Sequence, residues 1–183
     1  ELMTAKQAHK AANYLGQGLH RGIITLACYT FDLSELAASL IEAAKRGCQV
    51  TVIADKRTTL GRATRDMLAT IKMMRAGGVK ILLSSGSAIQ PEYLEHADKT
   101  VPSGYGILHA KCARIGNFCI LGSTNWTVSS KCNKEISVLI KASTLGLEKL
   151  TAVFQSWYAV ELTADIEREA EEAIARTRSR SSS

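Results

Sequence analysis

The sequence predicts an α/β protein whose mixed, largely parallel β-sheet is flanked by helices on both faces. Three observations predict this class. Residues 22–54 read as a β-α-β unit, residues 65–83 as a helix followed by a strand, and residues 107–140 as three short apolar runs. A right-handed crossover makes the first two strands parallel.

Length and composition are those of one globular domain. The chain has 183 residues, of which 46% are apolar and 22% charged, and this excludes a disordered chain. No apolar run reaches the roughly 18–20 residues of a membrane span, and no signal peptide is visible. We expect a single domain over residues 1–163, then a charged helical extension and a disordered Arg/Ser tail over 164–183, with no stable membrane insertion.

The first half of the chain alternates helices and strands. The predicted elements are a helix over 4–15, a buried strand over 22–31, a helix ending at Arg46, and a strand over 49–54. Asp32 and Glu35 form a capping-box pattern at the start of the second helix. His9 and His20 are interpreted as surface or helix-end histidines.

The second half begins with a helix over 65–76 and a strand over 79–83. Residues 84–106 then form a long polar loop that contains two prolines and His96. Loops of this length in compact domains are usually functional or disordered, and this one leads directly to His109. We expect it to border a pocket. A final amphipathic helix is predicted over 144–161.

The segment 107–140 carries the chemistry. His109 and Lys111 are two residues apart on a predicted strand, so their side chains project from the same face. A neutral imidazole is a competent nucleophile or general base near neutral pH. A neighbouring lysine supplies positive charge for an anionic oxygen.

Polar residues follow at matching spacing. Ser123 and Asn125, again two residues apart, can donate hydrogen bonds to the same oxygens. Glu135 can hold an imidazole nitrogen and set its tautomer. Together with His109 and Lys111, these residues predict attack at phosphorus without a metal.

This segment resembles the HKD motif of the phospholipase D superfamily, in which His-x-Lys is followed after four residues by Asp, then by Gly-Ser-x-Asn and a later acidic residue. The matching residues are His109, Lys111, Gly122, Ser123, Asn125 and Glu135. The resemblance extends more weakly over residues 20–160. It implies a phospholipase D/nuclease-like fold and a phosphodiesterase that acts through a phosphohistidine, with no metal and no other cofactor.

One position departs from the motif. Gly116 stands where the pattern has Asp, and a Gly116-Asn117 turn replaces a longer hairpin connection. In the superfamily that Asp supports structure more than it reacts. Its loss leaves open an impaired activity.

The chain has a single His-x-Lys. One group must attack phosphorus while another protonates the leaving oxygen on the opposite side, and one His109 cannot do both in line. Single-motif members of the superfamily solve this by pairing two chains. The resemblance therefore implies a homodimer that shares one active site.

The charge balance favours anionic partners. The net charge is +6, with 23 Lys and Arg against 17 Asp and Glu. Lys56, Arg57 and Arg114 are predicted to bind substrate near the pocket. Nucleic acid is the favoured substrate and a phospholipid the alternative, so the competing functions are a nuclease, a phospholipase or phosphatidyl transferase, and a non-catalytic dimeric binding module.

The five cysteines predict an intracellular protein. Their number is odd and most lie inside apolar runs, which is typical of reduced core thiols. A zinc site from Cys112, Cys119 and Cys132 is disfavoured because the spacing contains no Cys-x-x-Cys pair.

Overall fold

A computed structural model of the chain describes residues 1–61, 65–87, 106–157 and 159–181. These residues form one eight-stranded sheet, six α-helices and a short 3-10 helix. The strands are β1 (Leu2–Met3), β2 (Ile23–Cys28), β3 (Gln49–Asp55), β4 (Lys80–Ser84), β5 (Cys112–Ile115), β6 (Phe118–Gly122), β7 (Ser137–Lys141) and β8 (Ala159–Glu161). The helices are α1 (Ala5–Gly18), α2 (Ser34–Lys45), α3 (Lys56–Leu60), α4 (Arg65–Ala76), α5 (Thr144–Ser156) and α6 (Ala164–Ser181), with the 3-10 helix at Ser129–Cys132.

The predicted mixed α/β sheet is confirmed, but it is not largely parallel: two of the seven pairings among the described strands are parallel. The strand order is β1-β7-β6-β5-β2-β3-β4-β8. Parallel pairing is found in β2–β3 and β3–β4, where helical crossovers join consecutive strands. The remaining pairings among the described strands are antiparallel. The strands paired in parallel, β2, β3 and β4, are therefore adjacent, with four described strands beyond β2 and β8 alone beyond β4.

Helices cover both faces of the sheet, as predicted. On one face α1, α2 and α4 pack on the larger core cluster, which includes the fully buried side chains of Ile24, Leu26 and Val52. On the other face α5 packs through Phe154 against Ile53. Alternation of side chains along each strand produces this division, because successive residues point to opposite faces.

The start of α2 differs from the prediction. The helix begins at Ser34 with Leu33 at the N-cap and no side-chain cap. The predicted capping box is wrong because the Asp32 carboxylate is used elsewhere: it accepts a hydrogen bond from the Val128 backbone N–H at 2.7 Å. Asp32 thus connects the end of β2 to the loop after β6.

The C-terminal part of the chain adds an edge strand and a helix to the fold. Residues 159–161 form the edge strand β8 beside β4, so α5 ends before them. Helix α6 then packs on the main core through Ile166, and its Ala170 is also buried. The segment predicted to be disordered from Arg176 continues α6 to Ser181.

Ion pairs also hold α6 against α4. Arg75 Nε donates to Glu167 Oε1 at 2.6 Å, and Glu167 is buried. Lys72 pairs with Glu171 one turn further along α6. The charged segment therefore docks on the domain through both apolar and ionic contacts.

The ends of the long polar loop meet. Gly86 N–H donates to the Gly106 carbonyl, and Gly106 N–H donates to the Ser87 carbonyl, each at 2.9 Å. Residues 88–105, including His96, lie outside the described residues.

The β5–β6 hairpin turns on two residues. Ile115 pairs with Phe118, which leaves Gly116 and Asn117 as the turn. Gly116 has φ +58°, a conformation that glycine adopts without the steric cost that a Cβ brings. A positive φ at the first turn position is the requirement of a type II′ hairpin.

Candidate active site

His109 and Lys111 lie immediately before β5, which begins at Cys112. The predicted strand starts later because Ala27–Cys112 is the last residue pair between β2 and β5. The segment is held from the neighbouring strand instead. The Asp55 carboxylate, at the C-terminal end of β3 and 1% exposed, accepts the Leu108 N–H at 2.8 Å.

Asp55 also begins the next helix. Its other carboxylate oxygen accepts the Thr58 N–H at 2.8 Å and so caps α3. One buried carboxylate therefore fixes both the turn after β3 and the residue before His109.

Lys111 is a buried cation. Its side chain is 8% exposed, and Nζ donates to the His109 carbonyl oxygen at 2.6 Å. Burial lowers the pKa of Lys111, and the negative charge of Glu135 offsets part of that effect. No carboxylate within the described residues forms an ion pair with this ammonium group. A desolvated charge without a counterion favours binding of an anion.

Tyr29 connects the two motif side chains. Its ring meets the His109 ring edge-on, with 5.0 Å between centroids, and Lys111 Nζ lies 5.3 Å from the Tyr29 ring centroid. The His109 side chain is exposed. Within the part of the chain that the structure describes, its imidazole makes no hydrogen bond, so both ring nitrogens are available to a ligand.

Ser123 and Glu135 contact each other across the ends of β6 and β7. The Ser123 hydroxyl donates to Glu135 Oε2, and Asn133 Nδ2 donates to Glu135 Oε1 at 3.2 Å. Glu135 was predicted to hold an imidazole nitrogen, but its partners here are a hydroxyl and an amide. Its charge still acts on Lys111.

Gly122 permits this close approach. A Cβ at Gly122 would lie 2.4 Å from the Ile136 carbonyl oxygen. The backbone contact is completed by Ser123 N–H, which donates to the same carbonyl at 3.0 Å. The glycine of the Gly-Ser-x-Asn element therefore brings Ser123 beside Glu135.

Asn125 is positioned through its neighbours. Trp126 is 1% exposed, and its indole N–H donates to the Ala27 carbonyl at 3.2 Å, which anchors the loop over β2. The Asn125 carbonyl oxygen accepts His9 Nε2–H at 2.8 Å. The Asn125 Oδ1 atom is buried without a hydrogen-bond partner in the described part of the chain.

A cavity of about 250 Å³ lies beside Asn125. Most of its lining residues are polar: they include Asp32, and Thr127, Ser130 and Asn133 from the loop that leads to Glu135. Phe31 and Met67 are its apolar lining residues.

The three cations predicted to bind substrate occupy different places. Lys56 and Arg57 are exposed in the first turn of α3, directly after the Asp55 that anchors the motif. Arg114 lies away from His109: its guanidinium donates to Thr151 on α5 at 2.5 Å and to the Gly116 carbonyl at 3.4 Å. The structure thus brings Lys56 and Arg57, but not Arg114, to the strand ends that carry the motif.

Sequence reasoning missed three residues of this site: Tyr29, Asp55 and His9. Asp55 and Tyr29 reach the motif only because β5 inserts beside β2. His9 was interpreted as a surface or helix-end residue, yet it is 6% exposed in the middle of α1. Its position in the apolar i, i+4 stripe of α1, beside Ala5, Ala8 and Ala12, was the pattern that could have indicated burial.

Two further properties concern metals and membranes. Within the described residues, no cluster of three or more His, Cys, Asp or Glu side chains is arranged to hold a metal ion. None of the helices in that same part of the chain is long and apolar enough to cross a membrane.

Comparison with solved structures supports the fold. NucT from Helicobacter pylori superposes with a TM-score of 0.74 at 20% identity, covering 88% of this chain and 98% of that one. The phospholipase D family member Nuc from Salmonella typhimurium superposes with a TM-score of 0.64 at 19% identity, covering 88% of this chain and 97% of that one. Polyphosphate kinase from Porphyromonas gingivalis superposes with a TM-score of 0.59 at 18% identity, covering 85% of this chain but only 25% of that one.

Comparison of sequences identifies the family. No curated protein is significantly similar to the chain. The family model described as "Cardiolipin synthase, PLD-like domain" matches residues 21–158, most of the chain, including the segment from His109 to Glu135. The chain therefore belongs to this family of phospholipase D-like domains.

Proposed function

We propose that the protein is a phosphodiesterase that forms a phosphohistidine on His109, acts on nucleic acid, and completes its active site with a second copy in a homodimer. One observation carries the proposal: an exposed imidazole with no hydrogen bond lies beside Lys111, a buried ammonium group with no ion pair in the described chain. A phosphodiester is an anion that both groups can contact. Lys111 would hold a non-bridging oxygen while His109 reacts at phosphorus.

The first step is attack by a neutral His109 nitrogen on phosphorus. A nitrogen–phosphorus bond forms, and the bond from phosphorus to the leaving oxygen breaks. The leaving oxygen takes a proton from the imidazolium of His109 in the second copy. That second imidazole, now neutral, removes a proton from water in the next step. The hydroxide oxygen bonds to phosphorus, and the first His109 is released.

The exposure of His109 supports the shared site. A catalytic imidazole open to solvent can meet its counterpart when two copies associate through the same surface. Lys111 and Asn125 of both copies would then surround one phosphoryl group. Each subunit alone lacks the general acid, so the monomer would be inactive.

The polarity of the cavity beside Asn125 favours nucleic acid over lipid. Six of its nine lining residues carry hydroxyl or amide groups, which suit phosphate and sugar oxygens, and Asp32 adds one carboxylate. A phospholipase site requires more apolar surface for acyl chains than Phe31 and Met67 supply. The net charge of +6 and the exposed side chains of Lys56 and Arg57 also favour a nucleic acid substrate.

The test compares the wild type with His109→Ala on bis(p-nitrophenyl) phosphate, single-stranded DNA, single-stranded RNA and cardiolipin vesicles. We expect hydrolysis of the small diester and of at least one nucleic acid, loss of about 10³-fold or more in His109→Ala, and no effect of EDTA. Quenching a labelled substrate in an alkaline denaturant, in which a nitrogen–phosphorus bond survives, should leave label on wild-type protein only.

Light scattering and subunit mixing test the dimer. Mixing wild-type and His109→Ala subunits should leave activity only in wild-type homodimers. A strictly monomeric protein that hydrolyses diesters would overturn the shared site. Binding of nucleic acid without turnover in the wild type would favour a catalytically impaired binding module, and cleavage of cardiolipin alone would favour the phospholipase alternative.

A further inference from the structure

A second cavity, of about 390 Å³, lies between α1, the start of α2 and the 3-10 helix. It is lined by none of the residues matched to the HKD motif. Three lysines line it: Lys6 and Lys10 from α1, and Lys131 from the 3-10 helix. We call it the basic cavity.

The lysines are arranged to act together. Lys6 and Lys10 are four residues apart on α1, so they project from the same face of the helix. Lys131 lines the same cavity from the 3-10 helix. In the described part of the chain, none of the three ammonium groups forms an ion pair or a hydrogen bond. Glu35 is the acidic residue among the lining residues, so positive charge predominates.

The start of α2 adds to this positive potential. Leu33 at the N-cap has no side chain that can accept a hydrogen bond, and the first backbone N–H groups of a helix have no partner within it. Leu33, Ser34 and Leu36 line the cavity. The positive end of this 12-residue helix therefore borders the basic cavity, as the three lysines do.

A buried histidine connects the basic cavity to the candidate active site. His9 lines the cavity, is 6% exposed, and its Nδ1 atom has no hydrogen-bond partner among the described residues. Its Nε2–H holds the carbonyl of Asn125 at 2.8 Å. The 3-10 helix lies between the basic cavity and the cavity beside Asn125. Its Ser129 and Ser130 line the cavity beside Asn125, and its Lys131 lines the basic cavity.

We propose that the basic cavity binds a phosphate group of a single-stranded nucleic acid whose scissile phosphodiester lies at His109. The strand would leave the cavity beside Asn125, cross the 3-10 helix and place a later phosphate among Lys6, Lys10 and Lys131. This inference rests on the proposed function and adds a second contact on the same strand. Lysines bind phosphates as point charges, without selecting a base sequence.

The shape of the cavity favours a strand over a membrane surface. A bilayer presents its phosphates in a plane and contacts protruding charges. The basic cavity is instead a recess between α1, the start of α2 and the 3-10 helix, which a flexible single strand can enter. Its charges therefore fit a polynucleotide better than a lipid surface.

The test measures binding of an oligonucleotide of about 12 nucleotides in the His109→Ala background, which prevents cleavage. The cavity variant carries Lys6→Ala, Lys10→Ala and Lys131→Ala. The matched control carries Lys45→Ala, Lys141→Ala and Lys149→Ala, which removes the same charge from exposed lysines elsewhere. Thermal melting confirms that both variants fold.

We expect the cavity variant to bind roughly tenfold or more weakly than the control. Its plot of log affinity against log salt should be shallower by about 0.7, because one phosphate contact on a single strand is lost. With His109 restored, kcat/KM for bis(p-nitrophenyl) phosphate should equal that of the wild type, since this small diester, bound at His109, has no second phosphate to place in the basic cavity.

Equal binding by the cavity variant and the control would overturn the proposal. Cavity-dependent binding of cardiolipin vesicles without binding of the oligonucleotide would assign the site to a membrane instead. Failure of the proposed function is a separate result: a wild-type protein that hydrolyses no diester, yet binds the oligonucleotide through the three lysines, would leave this subsite standing.

Discussion

The carboxylate of Asp55 accepts the backbone N–H of Leu108 at 2.8 Å, so the end of a central parallel strand fixes the residue that precedes His109. The contact joins segments 53 residues apart in sequence. It makes the position of the imidazole depend on a residue that is 1% exposed and touches no substrate.

We therefore predict that Asp55→Ala lowers kcat more than it raises KM, because it displaces His109 without removing a binding group. Two backbone N–H groups would lose a charged acceptor, which should also lower the free energy of unfolding by roughly 2–3 kcal/mol. Asp55→Asn keeps one acceptor oxygen, so its kcat and its free energy of unfolding should lie between those of the wild type and Asp55→Ala. Steady-state kinetics and urea denaturation measure both effects, and full activity in Asp55→Ala would contradict the positioning role.

Lys111→Met should abolish diester hydrolysis while raising the free energy of unfolding by about 1 kcal/mol, because an unpaired buried charge is replaced by an apolar chain of similar length. The pKa of Lys111 is lowered from 10.5, so between the lowered value and 10.5 the unfolded state binds more protons than the folded state.

The stability of the wild type should therefore rise through that alkaline window relative to Lys111→Met, and the difference between the two proteins should shrink. Denaturant titrations at neutral pH and near pH ~10 test this. A variant that is less stable than the wild type at neutral pH would show that Lys111 has a stabilising partner.

His9 should make the protein sensitive to mild acid. Burial lowers the pKa of His9 below its usual 6.5, so the folded state keeps it neutral while the unfolded state is protonated. The free energy of unfolding should fall as the pH drops below 6.5, and it should fall less steeply in His9→Gln. His20→Gln, which changes an exposed histidine, is the control and should follow the wild type. Identical pH profiles for His9→Gln and the wild type would contradict the prediction.

Restoring the acidic residue of the HKD pattern at Gly116 should not restore or improve activity. Gly116 has φ +58°, and a Cβ there would lie 3.2 Å from Leu19 Cδ1. Gly116→Asp should cost about 1 kcal/mol of stability, because a side chain is strained at positive φ. Gly116→Asn, which tolerates this conformation better, should cost less. Thermal melts and diester hydrolysis measure the two variants, and a more active Gly116→Asp would mean that the turn can rearrange.

The sequence was sufficient to predict the motif and the β-α-β unit of β2, α2 and β3, because both depend on local patterns. The spacing of His109 and Lys111, and of Ser123 and Asn125, is readable along one short segment. The family match over residues 21–158 agrees with that interpretation.

The rest of the site depends on strand order, which local patterns do not contain. Tyr29 and Asp55 meet the motif because β5 lies antiparallel beside β2, with β3 on the other side. The capping role assigned to Asp32 failed for the same reason: a residue distant in sequence, Val128, offered its N–H. Arg114 was expected near the substrate, but the pleat of β5 directs it to Thr151 on α5.

The paired backbones of Gly86 and Gly106 have an evolutionary consequence. One hydrogen bond joins Gly106 to Gly86 and another joins it to Ser87, and these two bonds fix the separation of the two ends whatever length of chain runs between them. Residues can then be inserted or deleted at this point without moving β4 or the segment that leads to His109. Related proteins can diversify here while the reacting groups stay in place, and an experimenter can use the same junction to introduce a label.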